Sequence, residues 1–273
     1  MAKIDGLWDV ADSRVTINGW GSSRNNHIRI YTTPLARHKG KWDDKKYRLE
    51  SEYELIQILQ GKSVRIDGLQ GYLYGTASNQ YGIRTHNSDI NLAEDAYHVV
   101  SNNIFRHSGS GTGHGGIYIS SYGYYDFSAY IFNNIVYNFE DYAISVVSDN
   151  AYVYNNTVID NTDYGISANR GFLANNIAIN NSSGDYRYDT ANSFNNISSD
   201  TTAFGTSSQT EVSVLFVDEA NDDFRLAEND VVAKDSGTST VSSFQFPGAS
   251  FYDIQGTLRG AAWDVGADEL TTE

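Results

Sequence analysis

Arg84 and His86 stand two residues apart in the stretch "YGIRTH" (81–86). On a strand, residues two apart share a face. The pair would then present a fixed cation beside an imidazole. Such a pair can neutralise a substrate carboxylate while a base removes a nearby proton. The plainer alternative is two polar residues on a solvated face. His107 and His114 flank the Gly-rich run "RHSGSGTGHGG" (106–116), and Tyr124 lies close behind in "SYGYYDF" (121–127). The spacing of the two histidines matches no common zinc pattern. The run also lacks the Gly-Lys-Ser/Thr ending of a phosphate loop. Long breaks in regular structure often carry binding residues, so His107, His114 and Tyr124 are expected to line a cleft there.

Asp141, Asp163 and Asp185 recur at steps of 22 residues, each followed by a tyrosine. Stacked, they would set like charges side by side, which is unfavourable unless water or a cation intervenes. Calcium is the metal that such a set could hold; solvated turn residues are the alternative. No cofactor is required by this reading. Tyr142, Tyr164 and Tyr186, with Tyr81 ahead of them, are expected to form an aromatic stack that could double as a platform for sugars.

What must position these residues is a repeat. Asn pairs stand at 102–103, 133–134, 155–156, 175–176 and 195–196, at steps of 31, 22, 20 and 20 residues. Short apolar runs lie on either side of each pair. Three short strands per turn of about twenty residues describe a parallel β-helix. Asn tolerates left-handed backbone better than other non-Gly residues. Its amide can also bond to the Asn of the next coil. The pairs are therefore expected to form a structural ladder. The 20 Tyr and 12 Phe suit strands. Looser strands are expected at 14–20, 27–32, 47–51, 54–59 and 63–70, with a polar, basic insertion at 32–46. The expected fold is all-β: one right-handed parallel β-helix with an Asn ladder over 1–215, roughly nine coils at about twenty residues each, and a β-rich C-terminal cap over 216–273.

Lys+Arg is 19 against Asp+Glu 34, a formal charge of −15. Without a basic stripe to displace phosphate counterions, nucleic acid is not an expected partner. No apolar run is long enough for a membrane-spanning helix, so no membrane insertion is expected. The 273 residues contain no cysteine, which excludes disulfides, thiolate metal sites and cysteine nucleophiles. The opening "MAKIDGLWDV" carries no apolar core of a secretory signal.

The Asn-ladder coils resemble right-handed parallel β-helix proteins of the pectate-lyase-like superfamily. The front coils are similar to the chondroitinase-B-like and alginate-lyase-like group. The tail, "DDFRLAENDVVAKDSGT" (222–238) and "DIQGTLRGAAWDVGADE" (253–269), resembles the closing segment of secreted bacterial β-helix proteins, although it lacks their usual Ser-Pro. The resemblance implies that the working face is the strand column "GIRTH", "GIYIS", "AISVVS", "GISANR" and "YRYD". With Ile83, Ile117, Ile144 and Ile166 inward, Arg84, Tyr118, Ser145 and Ser167 form one outward row. His86, Ser120, Val147 and Asn169 form the next, and Arg187 and Asp189 extend these rows. Tyr118, Asn169 and Arg187 join His107, His114 and Tyr124 as candidate substrate-binding residues. The resemblance also implies an extracellular or cell-surface setting and a polysaccharide partner. Because that group's acidic and basic catalytic motifs are missing from matching positions, the expected role is polysaccharide binding. Two alternatives stand beside it. One is a lyase on uronic-acid glycans, using Arg84 and His86. The other is a structural solenoid or phage or surface-layer component.

Overall fold

The computed structural model describes residues 1–59, 63–85, 96–109, 112–120, 127–188, 192–243 and 251–270. The chain winds as a parallel β-helix. Among the described residues, three parallel sheets hold eight, seven and seven strands. The first sheet runs from Ala2–Ile4 through Ile28–Thr32, Ser63–Asp67, Tyr97–Ser101, Ser128–Phe132, Asn150–Tyr154 and Phe172–Ala174 to Asn192–Phe194. The second runs from Arg48–Ser51 to Ile197–Ser198. The third stacks Val15–Ile17, Ile56–Ile58, Tyr81–Thr85, Gly115–Ser120, Ile144–Val147, Tyr164–Ala168 and Gly184–Tyr186. Among the described residues, six coils have a strand in all three sheets, and parallel bridges from Asp12 to Leu49, Phe194 to Thr206 and Ile197 to Gln209 carry the winding further at both ends. The front coils are much longer than twenty residues: Ile28 pairs with Val64, and Val64 with His98.

Each coil is short apolar strands joined by sharp corners, and the two asparagines of each pair divide the corner's work. The first of each pair, Asn102, Asn133, Asn155, Asn175 and Asn195, takes a positive φ between 50° and 56° and turns the chain. The second is buried and builds the ladder. Asn103 Nδ2 donates to Asn134 Oδ1, Asn134 to Asn156, Asn156 to Asn176 and Asn176 to Asn196, each at 3.0 Å. A second ladder, which the Asn pairs did not reveal, joins Asn161 Nδ2 to Asn181 Oδ1 at 2.7 Å. Its corner residues Asn138, Asp160 and Asn180 also have positive φ.

Inside, Ile56, Ile83, Ile117, Ile144 and Ile166 form a fully buried column on the third sheet. Outside the first sheet, Tyr130, Tyr152 and Phe172 stack at 4.8 and 5.4 Å, within 7° of parallel. The insertion at 32–46 is more than a polar loop, since Ala36 and His38 are buried in it. The C-terminal end of the core meets Ala203 and Phe204. Residues beyond 213 run back along the flank. Val214, Phe224, Leu226, Ala233, Ile254, Val265 and Ala267 pack on Ile104, Ile135, Ile159, Ile177 and Ile197 of the second sheet. The corner asparagines hold this tail: Asn133, Asn175 and Asn195 donate from Nδ2 to the carbonyls of Tyr252, Thr238 and Ser236 at 2.8, 2.9 and 2.9 Å.

Candidate functional site

The outward side of the third sheet brings most of the singled-out residues together. Register places Gln57, Arg84, Tyr118, Ser145 and Ser167 in one row. Tyr186 pairs with Ile166, so Arg187 follows at the end of that row. A second row holds Tyr81 beside Gly115 and Tyr164 beside Gly184. Gly115 is required there: a Cβ would sit 2.6 Å from the Tyr81 ring. The ring lies across the bare backbone, and its hydroxyl donates to Asp141 Oδ2 at 3.2 Å. Tyr142 and Tyr164 stack 6.0 Å apart, within 10° of parallel. The Arg187 guanidinium lies 5.1 and 5.5 Å from those two rings and 5.0 Å from Tyr188. Cation–π contacts of this kind hold a planar cation against an aromatic face. Tyr118, Tyr142 and Tyr164 are half-buried, and Arg187 and Asn169 are exposed.

Arg84 is already engaged. Its Nη1 lies 3.4 Å from Glu54 Oε1 and donates to the Asn79 carbonyl at 3.2 Å. Its guanidinium sits over the rings of Tyr81 and Tyr118 at 4.9 and 5.9 Å. Its Nε is buried with no hydrogen-bond partner, as befits a group held between rings. Glu54 also accepts from Gln57 Nε2 at 2.9 Å. The cation proposed to meet a substrate carboxylate therefore has a counter-ion of its own, one that sequence reasoning missed. His86, Tyr124 and Asp189 lie outside the described residues.

The three aspartates do not form one column. Asp141 and Asp163 are neighbours, and burial pushes the Asp141 carboxyl up, with the Asp163 charge adding and the Tyr81 hydrogen bond opposing. Asp185 is displaced and fully buried, at 0% exposure. It ends the second Asn ladder. Its Oδ1 accepts from Asn181 N and Nδ2 at 3.1 and 2.8 Å, and its Oδ2 from Ser199 N and Oγ at 2.7 and 2.8 Å. Asp185 is thus engaged by ladder and loop donors and stands apart from Asp141 and Asp163. Tyr186, likewise, turns into the core and leaves the tyrosine stack.

His107 and His114 are brought together, but beneath the surface, at 3% and 0% exposure. On sequence alone they are expected on an open cleft. Their rings stack at 4.5 Å, and His107 also lies over Phe139 at 5.9 Å. His114 Nδ1 is 2.7 Å from Glu140 Oε2. Burial, followed by the neighbouring His114, pushes the His107 pKa down. Among the described residues this is the one group of three His or acidic side chains whose ligand atoms come within 4.8 Å of one another. Both Nε2 atoms are buried without partners. The set could hold a metal, but the 17° between the rings leaves the two imidazoles nearly parallel, where a tetrahedral site needs converging lone pairs.

Among the described residues, no helix is long and apolar enough to cross a membrane. No protein-family model matches the chain, and neither does any curated protein.

Proposed function

We propose that the outward face of the third sheet binds a polysaccharide chain, and that the protein is an extracellular or cell-surface relative of the pectate-lyase-like β-helix group. The observation that carries this is the Tyr142–Tyr164 stack with Arg187 over both rings. Half-exposed aromatic faces offer apolar area with a polar tip, which suits a sugar ring. A coil repeat presents equivalent groups at equal steps, as a polymer of sugars does. The arginine adds a cation suited to an acidic sugar. Binding is favoured over lyase chemistry because Arg84 is paired with Glu54.

The test is a panel of acidic and neutral polysaccharides in affinity electrophoresis, with and without calcium, while unsaturated and reducing ends are followed. Retardation by at least one glycan, lost in Tyr142→Ala/Tyr164→Ala, is expected. New chain ends would turn the reading to a lyase. Silence across the panel from folded protein would sink it in favour of a scaffold.

A further inference from the structure

Asn18 and Gly19 are the one Asn-Gly pair in the chain. They follow Val15–Ile17, the first strand of the third sheet. Both residues are exposed, and Gly19 takes a φ of 72°. Among the described residues, neither the Gly19 N–H nor the Asn18 amide has a hydrogen-bond partner. The stretch is open: a Cβ on Gly21 would meet no atom within 4 Å, and Trp20 is 64% exposed.

An asparagine loses its side-chain amide when the backbone nitrogen of the next residue attacks its Cγ. That nitrogen must be free of other bonds and uncrowded by its own side chain. The fold denies this to the described asparagines that precede serine, alanine or aspartate. The Ser182 N–H, after Asn181, donates to the Asn161 carbonyl at 2.9 Å. The Asp222 N–H, after Asn221, donates to the Glu219 carbonyl at 3.2 Å, and the Asp230 N–H, after Asn229, to the Ala227 carbonyl at 2.9 Å. Ala151 and Ser193, after Asn150 and Asn192, lie inside paired strands. Asn181 is held at its side chain as well, since its Nδ2 donates to the Ile179 carbonyl at 3.1 Å. Asn87, which precedes a serine, lies outside the described residues.

We propose that Asn18 is a site of spontaneous succinimide formation, faster than any other described asparagine. Gly19 N bonds to Asn18 Cγ, the Cγ–Nδ2 bond breaks, and ammonia leaves with the Gly19 N–H proton. Water then opens the ring. Opening at Cγ leaves aspartate; opening at the Asn18 carbonyl carbon leaves isoaspartate, whose main chain runs through Cβ and Cγ. Gly19 has no Cβ to obstruct the attack or to restrict the rotation it needs. Either product adds a negative charge at the open end of the solenoid. Isoaspartate also lengthens the backbone by one methylene where the chain leaves its first strand of the third sheet. An isoaspartyl carboxyl methyltransferase would find an exposed substrate there. The site is separate from the aromatic face of that sheet and does not depend on glycan binding.

Peptide mapping by mass spectrometry tests the proposal, on folded protein and on protein unfolded in urea, each incubated at mildly alkaline pH and sampled over time. The readouts are the mass change from NH2 to OH and methyl transfer by an isoaspartyl methyltransferase. In the folded protein Asn18 is expected to convert several-fold faster than any other described asparagine, with methyl label on the same peptide. Unfolding is expected to speed Asn181, Asn221 and Asn229 and to change Asn18 little. An Asn18 that stays intact in folded protein while it converts in urea would overturn the assignment, because the fold would then protect it. So would another described asparagine converting as fast. Conversion without methyl label would mean direct hydrolysis with no ring, and would equally sink it. Gly19→Asn keeps a residue that tolerates left-handed backbone and adds a Cβ. Loss of the position-18 amide is expected to slow several-fold in this variant; an unchanged rate, with circular dichroism showing it folded, would count against the ring route.

Discussion

Asn134 gives both its backbone N–H and its side-chain Nδ2–H to the same oxygen of Asn156, each at 3.0 Å. Asn156 in turn donates from Nδ2 to the Ile131 and Tyr154 carbonyls at 2.9 and 3.1 Å and to Asn176 Oδ1 at 3.0 Å. It is fully buried, so removing the amide strands partners on three coils. Asn156→Ala is expected to cost about 3 kcal/mol or more, since each buried group left unpaired costs roughly 1–3 kcal/mol. Asn156→Asp is expected to be worse, because a carboxylate would face three acceptors. Urea midpoints compare the variants, and an Asp variant as stable as the parent would refute the ladder's donor direction.

His38 fixes a pH dependence. Its Nε2 must donate to the Asn102 carbonyl at 2.9 Å, and its Nδ1 accepts from the Gly40 N–H at 3.3 Å. The ring is therefore neutral, and burial followed by the Arg37 charge pulls its pKa from 6.5 down to about 3. The unfolded chain binds this proton first as pH falls. The stability contributed by His38 is complete above the unfolded value of 6.5 and is lost progressively as pH falls toward about 3. The slope is at most about 1.4 kcal/mol per pH unit. His107, lowered for the same reason, acts in the same direction. His38→Gln, which keeps a donor and an acceptor, is expected to flatten the acid side of the stability curve. Equal slopes in urea titrations of the two proteins would show that His38 does not carry it.

Glycan binding on the third sheet is expected to need aromatic faces more than any metal. Tyr142→Ala, with Tyr164 left in place, should weaken the best glycan of the panel by about tenfold, on the scale of one aromatic contact. Arg187→Gln should weaken acidic glycans more than neutral ones. Chelation should change neither, because Asp141 and Asp163 are two carboxylates where calcium takes six to eight oxygens. Loss of binding in a chelator would restore a metal to the site.

The buried Arg259 anchors the tail. Its Nη1 meets Glu269 Oε2 at 3.0 Å, and its Nη2 donates to the Gly266 carbonyl at 2.9 Å and to Asn133 Oδ1 at 3.3 Å. Arg259→Met leaves Glu269 buried without its counter-ion, with only the Gly260 and Asp264 N–H groups still donating to it, and is expected to cost about 3–5 kcal/mol. Arg259→Lys cannot span the same acceptors and should recover little. Limited proteolysis should then cut first within the tail. A tail as resistant as the parent's would mean that the apolar contacts alone hold it.

The sequence announces the solenoid because each Asn pair serves two physical needs at one place, a left-handed corner and a buried amide. It misplaces Asp185 because two periods disagree. Asp163 to Asp185 is 22 residues, while Asn155 to Asn175 is 20. The coil had already shortened, and those two residues carry Asp185 into the ladder and Tyr186 into the core. Comparing the two steps would have exposed the slip. Nothing local reveals Glu54 beside Arg84, since that meeting depends on how many residues a front coil spends before returning. His107 and His114 read as loop residues for the same reason: Gly-rich sequence does not say which way a ring turns.

A stack of repeats ordinarily behaves as a one-dimensional chain, in which each unit feels only its neighbours and frays from an end. The returning tail breaks that locality. By gripping Asn133, Asn175 and Asn195 at once, it ties the coil of Asn133 to two later coils with which it shares no strand pairing. The last coil cannot open without lifting a strap that earlier coils also hold. Amide exchange in the terminal coils should therefore follow the opening of the whole body, so that the molecule responds to heat or force as a single cooperative unit.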